Sequence, residues 1–214
     1  MLPELSAEEA RIIGCLMEKS VITPDQYPLT LNALTNACNQ KSGRNPVMAL
    51  EKAVVERAVR LLDARHLVQT DENFKSGVKK YRQRLCNTRF SEIKLDPAQF
   101  AVVCVLLLRG PRTPGELRTN SGRLHSFEDN NAVVDTLNSL VERDAGPMVV
   151  ELARTPGRRD SEYMHLLSGP VKAEVSAGKP RTPVSAAATD SVDLSELAKR
   201  VSALEAEVAE LKRR

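Results

Sequence analysis

One order of elements, three helices closed by a hairpin, is written into this chain twice. In the first pass, Ser6 and Glu9 form a capping-box pattern. There the hydroxyl accepts from the N–H three residues on, and the carboxylate accepts from the N–H of the cap itself. Ile12, Ile13, Leu16 and Met17 then make an apolar stripe at helical spacing. Thr23-Pro24 and Tyr27-Pro28 end that helix, because the residue before a proline is pushed out of the helical region. A second helix is expected over about residues 30–39, with Leu31 and Leu34 inward. The polar run 40–46 reads as a loop. A third helix is expected over about residues 47–64, with Leu50, Val54, Ala58, Leu61 and Leu62 on its apolar face. Residues 66–70 and 78–85 then read as two strands around a turn at 73–77.

The second pass begins at Asp96-Pro97, a cap followed by proline at the first helical position. Residues 100–108 supply a strongly apolar helix, and Gly110 reads as its C-terminal cap. Thr113 and Glu116 form another capping box, opening a short helix through Leu117. A third helix is expected over about 129–141, with Val133, Val134, Leu137 and Leu140 inward. Residues 148–152 and 162–167 make the second hairpin. Thr23-Pro24 and Thr113-Pro114 take equivalent places in the two passes, as do Tyr81 and Tyr163 in the last strands. Helix, helix, helix, hairpin is the winged-helix plan. The expected fold class is therefore mainly α with small β-hairpins (α+β), as two tandem winged-helix domains at 1–90 and 91–168. Each is small enough to be marginal alone, so the two are expected to pack together.

Beyond residue 168 the composition turns to Pro, Ala, Ser and Gly, a flexible linker over 169–190. In 191–214 the residues Leu194, Leu197, Val201, Leu204, Val208 and Leu211 are spaced 3, 4, 3, 4, 3. β-Branched residues at a with Leu at d favour a parallel two-stranded coil. The flanking pairs Arg200 with Glu205 and Glu207 with Lys212 are opposite in sign. A short coiled-coil helix and a homodimer are expected, against the plainer reading of one amphipathic helix lying on its own protein.

The order of motifs resembles the YceH-like bacterial proteins, an uncharacterised family. The resemblance rests on residues 107–118 (Leu-Leu-Arg-Gly-Pro-Arg-Thr-Pro-Gly-Glu-Leu-Arg), 27–34 and 38–46. It covers roughly residues 3–168, leaving the linker and tail outside. It implies a tandem winged-helix fold and no particular reaction.

Chemistry has few places to sit. The sequence holds no phosphate loop, no dinucleotide fingerprint and no Gly-x-Ser-x-Gly. Of its three histidines, His66, His125 and His165, neither His66 nor His165 has a Cys or carboxylate at metal spacing. Cys15, Cys38, Cys86 and Cys104 lie far apart, as buried reduced thiols in a cytoplasmic protein would. The opening residues show no signal-peptide pattern, and the longest apolar run, nine residues, falls far short of the ~20 that span a bilayer. A non-enzymatic protein with no cofactor, no metal and no membrane partner is expected.

The basic residues are more informative than the formal net charge of +3. Residues 73–94 hold seven Lys or Arg against the single acid Glu92, and Lys80, Arg82 and Arg84 alternate onto one face of a strand. Such a row can lie along phosphates. The candidate nucleic-acid contacts are Lys41, Arg44, Lys75, Lys79, Lys80, Arg82, Arg84, Arg112, Arg118, Arg158 and Arg159. The third helices oppose this reading: Glu51, Glu56 and Asp63 lie on one, with Glu128, Asp129, Asp135 and Glu142 on or beside the other. Carboxylates near phosphates repel them. Double-stranded DNA is the expected partner of a dimeric regulator, with a protein-interaction scaffold as the alternative.

Overall fold

The computed structural model describes residues 2–73, 77–89, 91–154 and 160–169, all of which fall in one compact unit. Among them are six α-helices and two small antiparallel sheets, an α+β fold. The linker and the heptad positions Leu194, Leu197, Val201, Leu204, Val208 and Leu211 lie outside the described residues, as do Lys75, Arg158 and Arg159.

Helix α1 (Ala7–Ile22) opens on the expected box: the Glu9 N–H donates to Ser6 Oγ at 3.2 Å, and the Ser6 N–H donates to Glu9 Oε2 at 3.0 Å. Helix α2 (Leu31–Cys38) starts at Thr30, whose hydroxyl accepts from the Ala33 N–H. Just before it lies β1 (Leu29–Thr30), a two-residue strand that the sequence pattern does not announce. It pairs with β3 (Val78–Gln83), which pairs in turn with β2 (Val68–Asn73), giving the order β1-β3-β2.

Helix α3 is shorter than the apolar pattern suggests, Lys52–Ala64, with Glu51 as its cap. The cause is Asn39, at the end of α2. Its side-chain amide donates to the Leu50 carbonyl at 2.9 Å and accepts from the Leu50 N–H at 2.8 Å. With both backbone groups of Leu50 taken, the helical ladder cannot extend back through it. The buried stripe of α3 is also displaced, to Val55, Ala58, Val59 and Leu62, while Leu61 is 55% exposed. Both stripes fit a 3.6-residue period, and only packing decides between them.

The second half repeats the plan. Helix α4 (Pro97–Arg109) is capped by Asp96 and Gln99, and buries every residue from Phe100 to Leu108. It ends at Gly110, whose φ of +71° with ψ of −156° is a conformation that glycine, having no Cβ, adopts without a clash. Helix α5 (Pro114–Ser121) starts at the Thr113–Glu116 capping box, and α6 (Asn130–Val141) at Asp129. Strands β4 (Val149–Glu151) and β5 (Tyr163–His165) form the hairpin.

The halves correspond differently from the expected Thr23-Pro24 and Thr113-Pro114 match. Leu29, just before α2, pairs with Tyr81 of β3, and Arg112, just before α5, pairs with Tyr163 of β5. Thr30 and Thr113 are the equivalent caps. Thr23 makes no side-chain cap to the 3₁₀ turn Pro24–Gln26 that follows it. The tyrosine equivalence holds, with both rings buried.

A single apolar core runs through both halves, and α1 lies against α4 within it. Contact is closest at Gly14, where an added Cβ would fall 2.9 Å from Leu108 Cδ2 and 3.1 Å from Leu107 Cβ. Arg11, 2% exposed, bridges the halves by donating to the carbonyls of Cys38 (3.0 Å), Pro46 (2.6 Å) and Leu108 (3.5 Å). All four cysteines are buried and none forms a disulfide.

Candidate nucleic-acid interface

The register of the first hairpin decides which of its cations reach solvent together. Residues paired directly across strands share a face, so Lys80 and Arg82 lie with Asp71 and Gln69 on the outer face. Lys79 and Tyr81 lie with Glu72 and Thr70 on the face toward α3. Lys79, Lys80 and Arg82 are exposed, and Arg84 is half-buried at the strand end. Of the row predicted along the strand, Lys80 and Arg82 share the outer face of β3 and Arg84 lies beyond its end, and β2 sets acids against them. Asp71 accepts from Arg82 Nε at 2.8 Å and forms an ion pair with its Nη2, and Glu72 stands opposite Lys79. A count running from residue 73 onward misses both acids, because they arrive from the preceding strand.

Between the hairpin and the helices lies a groove of about 290 Å3. Lys52 at the start of α3 and Lys79 on β3 line it, with Thr30 and Asn32 from the start of α2 and Glu56 from α3. Two turns further on, Asp63 is occupied as the acceptor of the Thr70 hydroxyl at 2.8 Å. The groove thus combines two cations, two small polar side chains and one acid at the start of a helix.

Arg44 leaves the candidate set. It is 6% exposed, and its five N–H donors are all engaged. Nε donates to the Ala37 carbonyl, Nη1 to Glu18 Oε1 and the Gly43 carbonyl, and Nη2 to Glu18 Oε2 and Gln40 Oε1. This is a two-pronged clamp that fastens the loop after α2 to α1. Burial works to raise the Glu18 carboxyl, but the Arg44 hydrogen bonds and charge, with Lys19 beside it, outweigh burial and hold it below the usual carboxylate range.

The other candidates do not form one surface. Arg112 is half-buried and donates to the Pro111 carbonyl, while its backbone pairs with Tyr163. Arg118, on α5, is exposed and donates to the Glu128 carbonyl at 2.6 Å, which closes the start of α6. Lys41 is separated from the hairpin. It lines a cleft of about 540 Å3 between the halves, together with Lys19, Arg109 and Arg123. Sequence reading missed Lys19 and Arg109, which sit at the ends of two apolar helices and acquire meaning only when those helices pack side by side.

The histidines are dispersed. His66 follows α3 with φ +58°, His125 stacks edge-on against Phe127 at 4.7 Å, and His165 is buried. Burial lowers the His165 imidazole to about 4, so it is neutral at physiological pH. Among the described residues, no three His, Cys, Asp or Glu gather in a way that could hold a metal ion, and no helix is long and apolar enough to cross a membrane.

A family model described as a protein of unknown function, DUF480, matches residues 5–158. The UPF0502 protein YceH of Escherichia fergusonii is 49% identical over 211 residues, covering 99% of this chain and 94% of that protein. A UPF0502 protein of Shewanella woodyi is 50% identical over 210 residues, covering 97% of this chain and 95% of its own length. A third, from Serratia proteamaculans, is 48% identical over 209 residues, covering 98% and 92%. These alignments run through most of the linker and tail, which the motif resemblance left out.

Proposed function

The chain belongs to the family of proteins of unknown function DUF480, and within it we propose a non-enzymatic, double-stranded-DNA-binding protein built from two winged helices. The three-stranded order β1-β3-β2 around α1, α2 and α3 supports the winged-helix reading of the first half, and the Arg112–Tyr163 pairing supports it for the second. In that architecture the third helix approaches the major groove by its N-terminal end while the hairpin lies along the backbone. The observation that carries the proposal is the groove that Lys52 of α3 and Lys79 of β3 both line, with Lys80 exposed on β3 beside it. Phosphate contacts from these lysines supply salt-dependent affinity, and Asn32 and Thr30 offer hydrogen-bonding groups between them. The heptad pattern of residues 194–211 supports a homodimer, and a dimer with two such grooves on one DNA would suit a transcriptional regulator.

Charge reversal at Lys79 and Lys80 tests the surface. Fluorescence anisotropy with mixed-sequence duplex DNA at low salt is expected to show at least tenfold weaker binding by the Lys79→Glu/Lys80→Glu protein. Equal affinity of the two proteins would overturn this placement of the interface.

A protein-interaction scaffold is the second reading, and α3 supplies its motive. Leu61 is exposed and lines a shallow groove with Val54 and Arg57 on the side away from the hairpin. Under this reading the wild-type protein does not bind duplex DNA even at low salt.

A further inference from the structure

The cleft between the halves carries more uncompensated positive charge than the hairpin does. Its walls come from the end of α1, the loop after α2, the end of α4 and the end of α5. Lys19, Lys41, Arg109 and Arg123 line it, and Glu18 is the only acid among its lining residues. That carboxylate is already committed. It accepts both prongs of the buried Arg44 and forms an ion pair with Lys19 at 3.1 Å. Among the described residues, the side chains of Lys41, Arg109 and Arg123 have no hydrogen-bond or ion-pair partner.

Arg109 is the most telling of the three. It reaches from the end of α4 to the loop after α2, where its Nη2 lies 3.6 Å from the position a Cβ on Gly43 would take. Gly43 has φ +74°, so the loop turns where the guanidinium comes to rest. Burial, then the charges of Arg112 and Arg44, hold Arg109 below the ordinary guanidinium value, and only Glu18 opposes them. A half-buried cation facing other cations costs free energy that an anion between them would recover. The cleft also has an apolar part: Ile22, Val105, Leu108 and Leu124 line it beneath the charges.

We propose that this cleft is a binding site for a small phosphorylated organic anion of nucleotide size. Arg109, Arg123 and Lys41 hold its phosphates, and its organic body lies on the apolar lining. The volume of about 540 Å3 falls within the ~300–1,000 Å3 of small-molecule sites, and a position between two packed units is a common one. Arginine suits the role, because its planar fork matches phosphate oxygens. Because the walls belong to both halves, an occupant bonds to both at once and resists their separation. The site is independent of the DNA surface, and each can fail without the other.

The test uses the full-length protein with three probes: inorganic phosphate, pyrophosphate and adenosine 5′-diphosphate. Isothermal titration and thermal melting are expected to show binding in the order phosphate, pyrophosphate, nucleotide, with Tm rising on ligand addition. Arg109→Gln is expected to weaken nucleotide binding tenfold or more. The exposed Lys41→Gln and Arg123→Gln variants, which leave the packing of α4 intact, should each weaken it severalfold. Lys80→Glu lies outside the cleft and should leave it unchanged. Absence of binding by all three probes would overturn the proposal, as would wild-type affinity in both the Arg123→Gln and the Lys41→Gln protein. It would also fall if no probe binds while the cleft variants weaken duplex DNA as strongly as reversal at Lys79 and Lys80, since the cations would then serve the nucleic-acid surface.

Discussion

Arg44 looks, in sequence, like one more cation in a polar loop, yet all its donors are taken up within the fold. Its principal partner, Glu18, lies 26 residues earlier, so nothing local distinguishes it from the exposed Lys41. Removing one member of a buried pair leaves the other charge uncompensated, which costs ~3–5 kcal/mol. Arg44→Met is therefore expected to lose about that much stability in urea denaturation, and Arg44→Met/Glu18→Gln to recover part of the loss. A double variant no more stable than the single one would mean that the Glu18 charge is not the cause. The pair also sets a pH dependence. A carboxyl held below its ordinary value of 4.5 contributes stability above that pH and loses it as pH falls further. The wild-type protein should show this acid loss, and the double variant should show less of it. The capping residues were legible for the opposite reason: Ser6, Asp96 and Thr113 each act on an N–H three residues away, so spacing alone reveals them.

At the scale of elements, the helices and most of their limits were readable, but the start of α3 and the strand β1 were not. The start of α3 depends on the hold of Asn39 on Leu50, and β1 exists only because β3 comes alongside it. The first hairpin shows the same gap in the candidate site. Its cations stand in β3, and the acids that temper them come from β2. Asp71 occupies Arg82, so Asp71→Asn is expected to release that guanidinium and tighten duplex DNA binding severalfold at low salt. Anisotropy with the Asp71→Asn protein checks this. Unchanged or weaker binding would show that the outer face of the hairpin does not meet the DNA.

At the scale of the whole molecule, the twofold repetition was plain in the sequence, whereas the shared core was not. Periodicity shows which face of a helix is apolar, not which helix covers it. Gly14 marks the contact that matters. On an isolated helix Gly14→Ala would add about 1 kcal/mol through propensity. Here the new methyl would meet Leu107 and Leu108, and overpacking of this kind costs ~1–3 kcal/mol. The variant is expected to melt below the wild type, in one cooperative transition because both halves share one core. A higher Tm would mean that α1 and α4 are free to part.

If the groove and hairpin of the first half meet a phosphate backbone, DNA binding must weaken with salt in proportion to the lysines that touch it. Each phosphate neutralised by a lysine contributes ~0.9 to the slope of log K against log salt. The slope for wild-type protein on a mixed duplex should be steep, and Lys79→Gln/Lys80→Gln should reduce its magnitude by about 2. An identical slope for both proteins, or no binding by the wild type at low salt, would mean that this surface does not meet DNA.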